Sequence, residues 1–365
     1  MKKQKFKQIL LGCLGATIIT GCTTVGLGNV PQTRENYNRA LDTSENEQFL
    51  LNIIRLHYGD TPYFVSVDSI TASTSLTVGG DGKIGASNVG AKNNGPLWSF
   101  SPQVSFTQTP TITYSPIQGS KFANGIIAPL TLDKVYMLLN SGYHLSEVLK
   151  LTMNKIGNLD NGTYSSHVNA NKLPDSNKFD TFINSLSYLS DDNQVYTALT
   201  KYESKPAILI YANNSDAATT LSKQLGLSKI YDRIILTNTL QLDKPSPENI
   251  ISVYPRSFFN MINFLSKSVD EPEDNKQLSV TNQDYNASLA SNEIDWSKLT
   301  HGMLHVRTGK PVDPITRVKY NGDWYYISAQ DSLSTSTLVL LKLIYSLQMG
   351  DVSANLPLIT IPIAN

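Results

Sequence analysis

Residues 207–237, AILIYANNSDAATTLSKQLGLSKIYDRIILT, decide the fold class. Ala207–Tyr211 is an unbroken apolar run of strand length, as a strand buried on both faces requires. Ser215 and Asp216 then open a helix that runs to about Leu225, because their short polar side chains satisfy the orphan N–H groups of a first turn. Asp232–Thr237 is a second strand, with RIIL at its centre. The alternation continues. Ile250–Tyr254 reads as a strand, and Ser257–Ser268 as a helix with Phe258, Met261, Ile262 and Leu265 on one face. This order of elements predicts an α+β, mixed α/β globular fold.

Toward the C-terminus, residues 270–293 are polar and acidic and read as an exposed loop. Met303–Arg307 reads as a strand. Arg317–Tyr320 and Trp324–Ile327 flank Asn321-Gly322, whose tolerance of positive φ marks a two-residue hairpin turn. Residues 334–348 form a helix with Leu338, Leu341, Ile344 and Tyr345 inward, and Pro357–Ile363 a terminal strand.

Toward the N-terminus, Phe179, Phe182, Ile183, Leu186 and Leu189 recur at helical spacing, after a polar linker at 157–176. Val135, Leu138 and Leu139 lie on one helix. Leu145, Val148, Leu149, Thr152, Met153 and Ile156 lie on another, with Ser141-Gly142 breaking the pair. A short helical segment covers 117–127. Before it the period is two: Tyr63, Val65 and Val67; Leu76 and Val78; Trp98 and Phe100; Val104 and Phe106; Ile112 and Tyr114. Gly79-Gly80-Asp81-Gly82 reads as a turn, and residues 85–96 as a Gly/Asn-rich loop. Ser44 and Glu47 form a capping box for a helix burying Leu50, Ile53, Ile54 and His57 and ending at Gly59. The expected domains are a leader at 1–21, a tether at 22–43, a first half at 44–157 and a second at 177–365.

The chain has 365 residues, with 30 basic and 30 acidic side chains. Charged residues are 16%, against about 25% in an average soluble protein. A zero net charge excludes a strongly basic nucleic-acid binder. A mean hydropathy of −0.19 excludes a polytopic membrane protein.

The N-terminus is an export signal. Lys2, Lys3, Lys5 and Lys7 precede the apolar run ILLGCLGATIIT at residues 9–20. That run is too short for the roughly 20 residues that span a bilayer and suits a signal-peptide core. It ends in Ile19-Thr20-Gly21-Cys22, which resembles the bacterial lipobox. The resemblance implies lipidation of Cys22, cleavage before it, and a membrane partner through that anchor. Thr23 follows Cys22 where an Asp would direct inner-membrane retention, so resemblance to the sorting rule of enteric-type bacteria implies the outer membrane. Loss of residues 1–21 leaves 26 basic against 30 acidic side chains and removes Cys13. A chain whose remaining sulfur is a thioether has no thiol catalysis and no Cys-based zinc site.

The remaining motifs carry little chemistry. Gly80–Gly85 matches G-x-G-x-x-G, but dinucleotide binding needs a helix N-terminus after it, and the flanking pattern is that of a hairpin turn. His301 and His305 have i, i+4 spacing, yet along a strand they lie over about 13 Å apart, too far for one metal ion. Asp270, Glu271, Glu273 and Asp274 lack the spaced ligands and Gly of a calcium loop. Lys134, Lys150 and Lys155 are too few for DNA. Trp324 and Tyr326 share a face opposite Tyr325, as on a core-facing strand with one exposed aromatic. No G-x-S-x-G, S-x-x-K or H-E-x-x-H occurs, so a Ser/His/Asp site would have to assemble in space.

Several segments, Asn46–Leu56 (NEQFLLNIIRL), Tyr58–Pro62 (YGDTP), Thr109–Pro116 (TPTITYSP), Arg256-Ser257, Asn321–Ile327 (NGDWYYI) and Leu347–Gly350 (LQMG), resemble an uncharacterised family of bacterial outer-membrane lipoproteins. The resemblance implies a membrane-anchored envelope protein and supplies no activity. In that family an acidic pair often follows the Trp-aromatic strand, with a Lys further on. Here those places hold Ser328-Ala329 and Thr335. The sequence therefore predicts no catalytic residue, no cofactor and no metal ligand. It predicts a lipid-anchored binding or scaffolding protein with envelope protein partners, facing the periplasm. The alternative is an envelope hydrolase acting on peptidoglycan or lipid.

Overall fold

The computed structural model describes residues 30–85, 97–162, 176–239, 247–272 and 296–353. Cys22, the loop at 86–96 and the expected strand Pro357–Ile363 lie outside the described residues. So does the 270–293 loop from residue 273 on. The chain is α+β. It divides into two compact units, Tyr63–Gly119 and a larger one, the body, formed by the rest.

Helix α1 spans Val30–His57, so Ser44 is an interior residue and not the N-cap, and residues 30–43 are helix and not tether. An i, i+4 pair, Arg39–Glu35 at 2.6 Å, supports it upstream. Lys342 ties its middle to the body through Asp42 and, at 3.5 Å, Glu45. Phe49, Leu50, Ile53 and Ile54 are fully buried. At the end, Asp60 N–H reaches the Arg55 carbonyl at 2.7 Å and Gly59 N–H that of Leu56 at 3.2 Å. This is a Schellman closure, with Gly59 at φ +78°.

After Gly119–Phe122 (α2) and a π-helical turn at Ala123–Ile127 come Leu132–Leu139 (α3) and Leu145–Thr152 (α4). The predicted helix through Ile156 stops at Thr152, and Met153–Ile156 is strand β3. Its pairing with the distant strand Ile250–Pro255 (β8) overrides the helical spacing. Leu159–Asp160 (β4) folds back onto β3, so the linker begins later than expected. Val195–Tyr202 (β5), Lys205–Ala212 (β6) and Arg233–Thr237 (β7) complete a six-stranded sheet. Its order is β4-β3-β8-β7-β6-β5, and only β7 and β8 run parallel in it. It crosses the boundary expected between 157 and 177, because β3 from the first half is laid on β8 from the second.

Strand β5 has no counterpart in the sequence-based reading. It is an edge strand with Tyr196 and Leu199 exposed, so no apolar face marks it. Its turn to β6 places Glu203 and Ser204 at φ +48° and +65° without a glycine. Helix α5 (Asn177–Asp191) buries Phe179, Phe182, Ile183, Leu186 and Leu189 as predicted. Helix α6 (Ser215–Gln224) is capped one residue early, Asn214 accepting from Ala217 N–H at 2.8 Å. Helix α7 (Phe258–Leu265) is capped by Ser257 and followed by a 3-10 turn, Ser266–Ser268.

A short helix α8 (Trp296–Leu299) precedes the C-terminal sheet. Met303–Leu304 are both buried and outside any strand, and the strand β9 is only Arg307–Thr308. Pro314–Tyr320 (β10) and Asp323–Ser328 (β11) form the predicted hairpin, with Asn321 and Gly322 at φ +48° and +98°. β11 lies between β10 and β9. Tyr325, Tyr326 and Ile327 are all buried, so both faces of β11 are covered, against the one-sided expectation. Trp324, 39% exposed, carries Arg317 over its ring at 5.5 Å. Helix α9 (Ser332–Ser353) buries Leu338, Leu341 and Ile344 as predicted and packs on β11, while α1 packs on β10.

The smaller unit is one antiparallel hairpin of two long strands, Val65–Gly85 (β1, 21 residues) and Leu97–Pro116 (β2, 20 residues). Gly79–Gly82 is not a turn: Gly80, Asp81 and Gly82 pair with Pro102, Ser101 and Phe100 inside the ladder. Glycine accepts extended backbone as readily as a turn, and the continuing ladder decides.

Candidate functional site

The body holds a buried polar centre assembled from four distant segments. Arg256 sits between β8 and the α7 cap, 2% exposed. Its Nη1 donates to the carbonyls of Lys150 (2.8 Å) and Leu151 (3.1 Å), and its Nη2 to that of Asn161. Lys150 and Leu151 are in the last turn of α4, whose carbonyls have no helical partner and carry the negative end of the helix dipole. A guanidinium there closes the helix and neutralises that end. Its plane stacks on Phe264 at 3.9 Å. Gly162, at φ +80°, passes so close that a Cβ would meet the Phe264 ring at 3.0 Å.

Asn161 is fully buried and extends the network. Its Nδ2 donates to the carbonyls of Lys150 (2.8 Å) and Met153 (2.6 Å), which leaves Oδ1 to face His301 Nε2 at 2.5 Å. His301 Nδ1 lies 2.9 Å from Asp180 Oδ1. Nε2 thus faces the Asn161 amide oxygen and Nδ1 the Asp180 carboxylate. Lys150 approaches the same carboxylate at 3.5 Å. Burial opposes ionisation of Asp180, but His301 and Lys150 outweigh it and hold the carboxyl below its ordinary range.

A second cluster joins the end of α1 to the C-terminal sheet. His57 Nδ1 donates to the Ser266 carbonyl at 2.9 Å, and its Nε2 faces Glu271 Oε1 at 3.3 Å. The hydroxyls of Tyr58 and Tyr325 bond at 2.6 Å. Tyr320 stacks on Tyr58 at 5.6 Å and donates to the Asp60 carboxylate. Burial first, then the Asp60 carboxylate, pushes the Tyr320 phenol up to about 12. Burial likewise raises Tyr58 and Tyr325. These phenols keep their protons at neutral pH and cannot act as bases there.

A Ser/His/acid triad needs one ring nitrogen free to take a hydroxyl proton. His57 Nδ1 is taken by the Ser266 carbonyl, while its buried Nε2, 3.3 Å from Glu271 Oε1, makes no hydrogen bond; His301 places Nε2 on Asn161 and Nδ1 beside Asp180. His305 turns Nε2 to both oxygens of Asp270 at 3.0 Å. His301 and His305 thus serve different anchors and share no ion site. Asp270 and Glu271 are each committed to a histidine, and Glu273 and Asp274 lie outside the described residues. Lys134 donates to Gln348 at 2.8 Å and Lys155 pairs with Asp160 at 3.1 Å. Ser328 is buried, and Thr335 donates to the Asp331 carbonyl at 2.9 Å. Sequence reasoning gave Asn161, Asp180 and Arg256 no part in a site, because the contacts that join them to one another and to His301 link residues 95 to 140 positions apart, and no local pattern marks such a set.

The hairpin differs in kind. Its register pairs Ile84 with Trp98, Gly82 with Phe100, Val78 with Val104, Leu76 with Phe106 and Ile70 with Ile112. Even-numbered residues stand opposite even-numbered ones. Nearer the base, Val67 pairs with Tyr114 and Val65 with Pro116, because the register shifts between Val67 and Ser69. This bulge at Asp68 inserts one residue and keeps the apolar positions on one face where strict alternation would lose them. At the described base of that face Val67 is 38%, Ile112 37% and Tyr114 54% exposed. No helix among the described residues is long and apolar enough to cross a membrane.

No protein-family model matches this chain, and neither does a curated protein or a solved structure. A functional reading therefore rests on the residues themselves.

Proposed function

We propose that this chain is a lipid-anchored protein of a Gram-negative outer membrane that faces the periplasm. It acts without catalysis, as a binding or scaffolding component of an envelope assembly such as a secretion or transport system. One observation carries this reading: the lysine-led apolar run of residues 2–20 ends at Gly21-Cys22, a junction that suits cleavage and acylation. Acyl chains on Cys22 would hold the chain to the membrane, since each buried methylene adds about 0.8 kcal/mol. Cys22→Ala is expected to move the protein out of the membrane fraction. Its retention after a high-salt wash would remove the anchor from the account, and a partner chemically crosslinked to wild type in intact envelopes would identify the assembly.

A further inference from the structure

We infer that β5 is a self-association edge. Two copies of this chain pair their β5 strands antiparallel about a two-fold axis at Ala198, which joins two six-stranded sheets into one. The pairing stands whether or not the chain is anchored as proposed above.

β5 (VYTALTKY) ends the sheet order β4-β3-β8-β7-β6-β5, and no strand lies on its outer side among the described residues. Its ladder to β6 is unbroken, from Val195 opposite Ala212 to Tyr202 opposite Lys205. The two-residue turn at Glu203-Ser204 makes Tyr202 and Lys205 a pair that exchanges both backbone bonds. Bonded and non-bonded pairs alternate from there, so the even residues of β5 spend their N–H and C=O groups on β6. The odd ones, Val195, Thr197, Leu199 and Lys201, turn theirs outward. Among the described residues no backbone bond reaches those outward groups.

Folded proteins blunt such an edge with proline, a bulge, several charges, extreme shortness or a covering element. The body's other sheet edges among the described residues do so. β4 and β9 are two residues each, and β10 packs on α1. β5 is eight residues long, has no proline and no bulge, and carries one charge, Lys201. Tyr196, Ala198 and Leu199 are exposed along it.

A second copy is the occupant that the strand itself specifies. The acids Asp191 and Asp192 precede β5, and Lys201 and Lys205 stand at its far end with Glu203 between them; all five are exposed. Antiparallel self-pairing lays the acidic start of each copy beside the mainly basic end of the other, and the two-fold axis repeats the match. Outward groups must meet outward groups, so odd residues pair with odd ones and the axis falls on a residue. Centred on Ala198, Thr197 exchanges bonds with Leu199 of the second copy, and Val195 with Lys201 of the second copy. The axis then falls on a non-hydrogen-bonded pair, where Cα atoms approach to about 4.5 Å, and alanine fits that spacing. Tyr196 stands across from Thr200 of the second copy, an aromatic beside a β-branched side chain. A single strand pair lies at the low end of specific interfaces, under about 1,200 Å², so a dissociation constant of about 10 μM is expected.

The test uses the full-length protein, purified from whichever cell fraction holds it. Sedimentation velocity between about 1 and 100 μM should show a monomer–dimer equilibrium. Thr197→Pro removes an outward N–H, and an edge strand admits proline at such a position. Leu199→Lys adds a charge to the edge. Each should raise the dissociation constant at least about tenfold and leave the thermal melt unchanged. Val312→Lys, on the exposed loop before β10, should leave it within about twofold. Ala198→Cys under mild oxidation should give a disulfide-linked dimer on a non-reducing gel, above the level that wild type shows through Cys13 and Cys22. Tyr211→Cys, one strand inward, should not. A monomer throughout the range, a dimer indifferent to both edge variants, or equal crosslinking at the two cysteines overturns the inference. Ala198→Cys that crosslinks in intact cells only to a chain of different mass also overturns it, and assigns the edge to a foreign strand.

Discussion

The β10–β11 and β1–β2 hairpins differ first in what covers them. Both are antiparallel, both alternate, and both place aromatic residues at paired positions. β10–β11 turns through Asn321-Gly322 after seven residues, has β9 on its far edge, and lies between α1 and α9. Tyr325 and Tyr326, on opposite faces, are both buried. β1–β2 is about three times as long, has no third strand among the described residues, and forms a unit by itself. The same local pattern thus yields a core strand where helices flank it and a one-layer ribbon where none does. Alternation specifies which residues share a face. What that face meets is decided by the elements around it.

Four measurements would break or sharpen this contrast. The largest effect is expected at Tyr325, a fully buried ring bonded to Tyr58. Tyr325→Ala should cost about 3–5 kcal/mol, read from the denaturant midpoint of the body; a loss under about 1 kcal/mol would mean that β11 is not a core strand. Next is the turn. Gly322, at φ +98°, has open space around it, so Gly322→Val adds only backbone strain, about 1–3 kcal/mol. A neutral substitution would show that flanking packing, and not the turn, sets the register.

A smaller effect belongs to Asp180, whose folded carboxyl titrates below the unfolded one. Its stabilisation is complete above the unfolded value and disappears as pH falls through the folded one. The melting difference between wild type and Asp180→Asn should therefore be present at pH 7 and vanish as pH falls below the ordinary carboxylate range. A difference that persisted at low pH would assign it to packing. The smallest effect is expected in the ribbon. Phe106→Ala in water should change stability by no more than about 0.5 kcal/mol, since a single layer has no interior to hollow out. A loss comparable with that at Tyr325 would show that the even face is covered in water and would remove the contrast.

Much of the body was legible because its helices carry wide apolar stripes. Phe179 to Leu189 on α5 and Phe258 to Leu265 on α7 are buried where the spacing placed them. Failures came where distant pairing outweighed local pattern. Met153 and Ile156 continue the spacing of Leu149 and Thr152, yet β8 takes them as a strand. Ser44 and Glu47 form a capping box by spacing, but the helix begins at Val30 and runs through them. The polar centre was illegible for a different reason. Asn161, Asp180, Arg256 and His301 meet only after folding, and each alone looks like an ordinary surface residue. In the hairpin the period of two was legible, but Asp68, the residue that keeps one face continuous, reads in sequence as a break in alternation.

The early start of α1 bears on how copies would find one another. Val30 begins the helix, and only residues 23–29 separate it from Cys22. Seven residues reach at most about 25 Å. Under the anchoring proposed above, the first turn of α1 cannot leave a layer of that depth along the bilayer. Encounter between copies then becomes a search in two dimensions, at an effective concentration set by leash length and not by abundance in the surrounding volume. Lengthening the 23–29 segment would dilute the copies without altering any contact within the chain.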